Sequence, residues 1–236
     1  MKSLSRWPDG RRAAAFHGIA FAVLSAAIFP AVAPDLHPTL GSNAESVLAF
    51  HAAHRLPFLI ANYLGVVAML PGLVKVAYLA ARFRQAEEKG GWLWILVLAS
   101  GIFALAIGTA DLMTFQTIPF LAKPGLEVGA KVLSDLASSG FALFLVAEAG
   151  FTFAIVWATI ATRALPRWVA WVGIPVGGVA LIGSLGSVWT PGVLAGGGVI
   201  SCIGLGAFLV WFAGIDLVFL GFLNASETSV EAVHDV

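Results

Sequence analysis

The chain contains little charge and a single cysteine, and both shortages narrow what it can be. It has 13 basic and 13 acidic residues among 236, so its formal net charge is zero. Soluble globular chains carry about 25% charged residues, whereas this chain carries 11%. A neutral chain has no overall field to attract nucleic acid, so no nucleic-acid partner is expected. One cysteine excludes an intrachain disulfide and a cysteine-cluster metal site.

Apolar sequence is abundant. Hydrophobic residues make up 59% of the chain, and the mean hydropathy is +0.93. A helix needs about 20 mostly apolar residues to cross a bilayer, because each residue adds about 1.5 Å of rise. Six segments are long and apolar enough, at residues 13–33, 56–81, 92–115, 137–161, 168–188 and 199–223. They leave no room for a soluble domain, so residues 1–223 are predicted to form a single transmembrane domain.

The apolar segments have the pattern of helices and not of barrel strands. Residues 92–98, for example, read Trp-Leu-Trp-Ile-Leu-Val-Leu, without the alternation of apolar and polar positions that a transmembrane barrel shows. In lipid, backbone groups must be satisfied within the segment, which favours helices. The predicted fold class is therefore all-α, a polytopic integral membrane bundle of about six transmembrane helices.

Two short stretches outside the spans carry their own predictions. Ser42 and Glu45 have the spacing of a capping box, in which two side chains satisfy free amides at a helix start. An apolar stripe follows, so a short amphipathic helix is predicted on the outer face before Pro57 opens the second span. Residues 224–236 are polar and acidic, which predicts a disordered cytoplasmic tail.

Basic residues are distributed unevenly between the two ends of the spans. Nine lie on one side, at Lys2, Arg6, Arg11, Arg12, Arg82, Arg84, Lys89, Arg163 and Arg167, and three on the other, at Arg55, Lys123 and Lys131. Cytoplasmic loops carry the excess of Lys and Arg, so both termini are predicted to be cytoplasmic. Residues 31–33 imitate a signal-peptidase site, but the apolar run is longer than a signal core, so the first span is expected to be retained.

Two buried carboxylic acids are the strongest candidates for function. An ionisable group at bilayer depth costs about 2.5–3.5 kcal/mol on insertion scales, so each one is a functional candidate. Glu148 lies near the middle of its span among phenylalanines. Such surroundings disfavour a charged carboxylate, and a carboxyl group that can be neutral suits proton relay or acid–base chemistry. Asp111 follows a stripe of small residues that predicts close helix packing, so it should face protein: Gly101, Ala104 and Gly108.

Two further ionisable residues, Lys75 and Asp216, lie at similar depths in the second and sixth spans. Similar depth predicts an ion pair, which could be functional or purely structural. Pro71-Gly72 and the glycine-rich stretch at residues 173–178 predict interrupted helices, and in transporters such interruptions bind substrates or ions. The same glycines also have the spacing of helix-packing ridges.

The histidines give a weaker metal signal. His51 and His54 are three residues apart on the predicted outer helix, so two imidazoles share a face and, with a carboxylate, could hold zinc or copper. The glutamate of the zinc-protease motif His-Glu-x-x-His is missing. No metal site and no cofactor are therefore predicted, and the two histidines stay weak candidates.

Three classes of function remain open. The first is a transporter or channel component for a small solute or ion, proton-coupled through Glu148. The second is an integral membrane enzyme that acts on a lipid-soluble substrate (a lipid, quinone or isoprenoid), with the buried carboxylates as acid and base. The third is a non-catalytic membrane subunit or assembly factor. The expected partners are the lipid bilayer and a small solute or lipid-soluble substrate, and a homo-oligomer or a larger membrane complex is compatible with all three.

The entry to the fifth span carries a resemblance. Leu165-Pro166-Arg167-Trp168, within residues 163–173, resembles the same stretch in a broad group of small, uncharacterised six-span bacterial membrane proteins of unknown function, and the span layout is similar too. The resemblance implies a location in the bacterial inner (cytoplasmic) membrane. It supplies no catalytic residues.

Overall fold

The computed structural model describes residues 8–27, 38–88, 90–187 and 198–221, and within them the chain forms helices and no strands. The helices are α1 (Pro8–Ala26), α2 (Ala44–Ala86), α3 (Leu93–Leu121), α4 (Glu127–Thr162), α5 (Arg167–Ser184), followed by a 3-10 turn (Leu185–Ser187), and α6 (Val199–Leu220). Helices α2 to α6 are long and apolar enough to cross a membrane, and α1 contains the shorter apolar stretch Arg12–Ala26. The prediction of an all-α, multi-pass membrane bundle is confirmed at this level.

The helices pack as a closed ring in chain order. Each helix packs against the next one along the chain, and α1 packs against α6 to close the ring. Neighbouring helices run antiparallel; along α3, for example, Gly101 approaches Phe151 of α4 and the later Gly108 approaches the earlier Phe144. Helix α4 also contacts α2 and α6. It is therefore the most central helix, and its side chains can meet those of several others.

The turn between α2 and α3 is fixed by a charged helix cap. The backbone N–H groups of Leu93 and Trp94 donate to Glu87 Oε1 and Oε2 at 2.7 and 3.3 Å. These N–H groups have no partner inside α3, and a carboxylate at a helix N-terminus also interacts favourably with the helix dipole. Glu87 thus sets the start of the third helix directly after the second one ends.

The start of α2 corrects one of the sequence predictions. Its N-cap is Asn43, whose Oδ1 accepts a hydrogen bond from the Ser46 N–H at 2.8 Å, so the expected capping box does not form. The predicted amphipathic helix falls in the part of α2 that precedes a kink. This kink lies at His54 (φ −117°, ψ 19°), three residues before Pro57, whose ring clashes with the carbonyl of the preceding turn.

The predicted helix interruptions are wrong. Pro71 lies inside the continuous part of α2 and Pro175 inside α5. Transmembrane helices tolerate proline because local adjustments and neighbouring groups satisfy the freed carbonyl. The nearby glycines serve packing instead: Gly72 lies against Phe21 of α1, and Gly173 lies against Trp211 of α6. Their missing side chains let the helices approach closely.

Other boundaries differ from the predicted spans in length. Helix α4 begins at Glu127, well before the predicted start at residue 137, and α3 continues past residue 115 to Leu121. Both extensions are more polar than the spans but keep helical backbone. The signal-like residues 31–33 and the predicted tail at 224–236 lie outside the described residues.

Candidate functional site

Lys75 and Asp216 form the predicted ion pair. Lys75 Nζ lies 2.8 Å from Asp216 Oδ2, and both side chains are fully buried. The same Nζ donates to the carbonyl oxygen of Phe212 and lies 3.4 Å from the centroid of the Phe212 ring. A buried ammonium group is tolerable only when its charge and donors are satisfied. Here a carboxylate, a carbonyl and an aromatic face, all on one turn of α6, supply those interactions.

Helix α1 reaches this ion pair through Gly18. A Cβ atom at Gly18 would overlap both carboxylate oxygens of Asp216, so only glycine leaves room for the carboxylate at this position. The ion pair therefore holds three helices together, with Lys75 on α2, Asp216 on α6 and the Gly18 backbone on α1. This contact lies where the ring of helices closes.

Glu148 is buried on the central helix α4 beside a small cavity. The side chain is 1% exposed, and neither carboxyl oxygen has a hydrogen-bond partner in the described part of the chain. The cavity measures about 20 Å³, room for about one water molecule. Its other walls are apolar and largely aromatic: Phe21, Met69, Gly72, Val76, Gly101, Ala104, Leu105, Phe144, Phe151, Phe208 and Phe212.

Asp111 is buried beside a second, larger cavity. The side chain is 7% exposed, and its Oδ1 has no hydrogen-bond partner among the described residues. The cavity measures about 40 Å³, room for about three water molecules. Its walls include one further polar group, the Ser25 hydroxyl on α1, and otherwise Phe21, Met69, Gly108, Leu112, Phe115, Phe141, Phe144 and Leu205. Gly140 on α4 leaves room for the carboxyl group, because a Cβ there would overlap Asp111 Oδ1.

The small-residue stripe on α3 behaves as predicted. Gly101, Ala104 and Gly108 are buried, as is Asp111. Gly101 lies between side chains of α2 and α4, and Gly108 lies against Phe144 of α4. Asp111 therefore faces protein, as the sequence indicated.

The two cavities are neighbours. Phe21, Met69 and Phe144 line both of them, so the two cavities share these three side chains as walls. On the other side of the Glu148 cavity, the Phe212 ring is both a wall of that cavity and the aromatic contact of Lys75. The four predicted ionisable residues thus lie in a row, from Asp111 through Glu148 to the Lys75–Asp216 pair. Neither of these two cavities is lined by all four of them.

The two histidines are not brought together with acidic ligands. His51 is buried, with its ring centroid 4.7 Å from that of Phe58, and His54 donates from Nδ1 to the Phe50 carbonyl oxygen at 3.1 Å. Within the described ranges, no three His, Cys, Asp or Glu side chains lie close enough together to hold a metal ion. His51 therefore belongs to an aromatic cluster at the start of α2.

Residues of the site that were not singled out from the sequence include two glycines, a serine and a phenylalanine. Gly18 and Gly140 make room for carboxyl groups, Ser25 adds a hydroxyl to the Asp111 cavity, and Phe212 contacts Lys75. Phe212 precedes Asp216 by four residues, so helical spacing could have indicated it. The other three depend on which helices are neighbours, which a single sequence does not tell.

Comparisons with protein-family models, with curated proteins and with solved structures give no match. The geometry of the site is therefore the basis for assigning a function.

Proposed function

We propose that the protein is a transporter or channel component of the bacterial inner membrane, with both termini cytoplasmic, that moves a small solute or ion and is coupled to protons through Glu148. The observation that carries this proposal is the complete burial of Glu148 without a partner for either carboxyl oxygen among the described residues, beside a water-sized cavity.

Burial of this kind suits a group that takes up and releases protons. An ionised carboxylate without a nearby cation is very costly in an apolar environment, so the neutral form is the one this cavity accommodates. Because the ionised form needs water or a cation beside it, the carboxyl group would release its proton when either of them enters the cavity. Opening of the cavity to one membrane face would let the proton leave to that face, which is the elementary step of proton coupling.

The arrangement around Glu148 supports passage through the bundle. The Asp111 cavity lies next to it behind Phe21, Met69 and Phe144. Side chains can change rotamer without disturbing the helices, and Met is especially adaptable. Movement of these three side chains would connect the two carboxyl groups. Two small cavities that share movable side chains as walls are what we expect in one state of a transporter.

The two other classes of function fit the site less well. Acid–base catalysis on a lipid-soluble substrate needs an acid and a base that converge on one reacting group, whereas each cavity here contains one carboxyl group. A purely structural subunit needs no buried carboxyl groups without partners, since these are costly. Transport accounts for both features.

Proton flux in reconstituted vesicles tests the proposal. Wild-type protein, Glu148→Gln and the exposed control Glu88→Gln are placed in liposomes that contain a pH-sensitive dye, and an inward potential is applied with and without small cations outside. We expect the wild type and the control to admit protons, and Glu148→Gln, which keeps shape but cannot titrate, to be at least about tenfold slower.

Two results would contradict the proposal. One is equal flux in wild type and Glu148→Gln, with both variants eluting as folded, monodisperse protein. The other is wild-type flux no greater than that of empty liposomes under every condition.

A further inference from the structure

We propose that the cavity beside Asp111 binds a small organic cation, an ammonium group that carries a short alkyl substituent, as the transported solute. This inference rests on the proposed function and adds a substrate class to it. Two polar side chains line this cavity, and both are more than nine-tenths buried: Asp111 at 7% and Ser25 at 4% exposure. Neither Asp111 Oδ1 nor Ser25 Oγ has a hydrogen-bond partner in the described part of the chain.

Asp111 lacks a basic partner within its cavity, as far as the described residues form it. Buried charges in proteins are normally paired. Asp216 obeys this rule, because Lys75 Nζ lies 2.8 Å from its Oδ2. A cation that enters the Asp111 cavity would supply the missing partner. The Ser25 hydroxyl oxygen could accept a hydrogen bond from one of its N–H groups.

The walls of the Asp111 cavity favour an organic cation. Four of them are phenylalanines, Phe21, Phe115, Phe141 and Phe144, and aromatic faces attract alkylammonium groups. A metal ion would find too few ligands, since Ca²⁺ takes about 6–8 oxygen atoms and Mg²⁺ demands near-octahedral coordination, whereas this cavity offers the oxygens of one carboxyl group and one hydroxyl. The lining therefore favours an organic cation over a metal ion.

The protein already holds one ammonium group, that of Lys75, between a carboxylate and an aromatic ring. Lys75 Nζ is held between the Asp216 carboxylate, at 2.8 Å, and the Phe212 ring, at 3.4 Å from its centroid. The Asp111 cavity contains the same two kinds of group, a carboxyl group and phenylalanine rings, without an ammonium group from the described residues between them. An alkylammonium ion would complete the same arrangement.

Cavity size limits the ligand. About 40 Å³ corresponds to about three water-sized groups, which matches ethylammonium, with three non-hydrogen atoms. The Glu148 cavity is only about 20 Å³, so the same ion would not fit there without movement of the shared walls. Ethylammonium is therefore the probe, and ethanol is its neutral counterpart of nearly equal size.

Ligand-induced stabilisation tests the inference. The Tm of purified full-length protein in detergent is followed by intrinsic fluorescence as ethylammonium chloride, sodium chloride or ethanol is added, since a ligand that binds the folded state raises Tm. We expect only ethylammonium to raise Tm in a saturable way. Asp111→Asn should weaken the apparent affinity at least about tenfold, whereas the exposed control Glu88→Gln should retain it.

A second pair of variants covers the case in which Asp111→Asn does not fold. Phe141→Leu keeps an apolar wall but removes an aromatic face, and it should weaken ethylammonium about threefold to tenfold; Ser25→Ala should weaken it as well. Equal stabilisation by ethanol or by sodium chloride, or unchanged affinity in all three cavity variants, would overturn the inference.

The outcome separates this inference from the function on which it rests. Proton flux that depends on Glu148, without any saturable effect of ethylammonium, would leave proton coupling standing and reject the organic cation. Ethylammonium binding that depends on Asp111, with proton flux unchanged in Glu148→Gln, would support the organic-cation site and reject proton coupling through Glu148.

Discussion

At the scale of single residues, the four buried ionisable groups divide by whether they have a partner. Lys75 Nζ is paired with Asp216 Oδ2, which leaves only Asp216 Oδ1 of that pair without a partner among the described residues. Both oxygens of Glu148 and Oδ1 of Asp111 have no partner in the described ranges. A well-compensated pair fits a structural role, because removal of either member leaves an uncompensated buried charge. Carboxyl groups without partners have no such structural benefit. We therefore infer that the pair supports the fold and that the two lone acids serve function.

Neutralisation of the ion pair tests this division. Lys75→Met or Asp216→Asn alone should lower the free energy of unfolding by about 3–5 kcal/mol, since each leaves one buried charge unpaired. The double variant removes both charges and should recover most of that loss. Thermal unfolding in detergent and the yield of membrane-inserted protein measure the effect.

Glu148→Gln is the matched control for that series, because it removes an ionisable group that has no partner among the described residues. Its stability should differ from wild type by less than about 1 kcal/mol. If the double variant is as unstable as either single variant, the contacts of Lys75 with Phe212, and not charge compensation, are what stabilise this region.

At the scale of helices, two glycines let a neighbouring helix pack directly against a buried carboxyl group. Gly18 of α1 faces Asp216, and Gly140 of α4 faces Asp111; a Cβ at either position would overlap carboxyl oxygens. Asp216 cannot move aside freely because it is bound to Lys75. Gly18→Ala should therefore destabilise the protein by about 1–3 kcal/mol, as overpacked cores do, and Gly140→Ala should displace Asp111.

Two other helical glycines are the controls. A Cβ atom added at Gly150 or Gly178 would meet open space, with no described atom of another helix within 4 Å. Alanine at these positions should therefore stabilise the helix by about 0.5–1 kcal/mol. Thermal unfolding of the four variants gives the comparison. Equal behaviour of Gly18→Ala and Gly150→Ala would mean that close approach at Gly18 is unimportant.

The helices were predictable from the sequence because membrane insertion makes length and hydropathy decisive. The depth of Lys75 and Asp216 likewise indicated their pairing. The helix interruptions were predicted wrongly, since proline and glycine disrupt a soluble helix but are accommodated when neighbouring helices pack against them. Gly18 and Ser25 could not be recognised as part of the site, because their role depends on α1 packing between α2 and α6, a long-range arrangement that no local pattern encodes.

At the scale of the whole molecule, the closed ring makes α1 part of the candidate site. Phe21 of α1 lines both carboxyl cavities, Ser25 faces Asp111, and Gly18 contacts the ion pair. Helix α4 supplies Glu148 from the centre. The row of ionisable groups consequently runs along the interior of the ring, where it is shielded from lipid.

The ring also gives a testable prediction of orientation. Its antiparallel order places Arg12, Arg84 and Arg167 at the same end of the bundle, and Arg55 and Lys131 at the opposite end. The end with more basic residues should face the cytoplasm. A fluorescent protein fused after residue 236 should therefore fold and fluoresce, whereas alkaline phosphatase, which needs an oxidising compartment, should be active when fused after residue 124. An active phosphatase at residue 236 would mean that the orientation is the opposite of the one predicted. Asp111 would then lie nearer to the other membrane face.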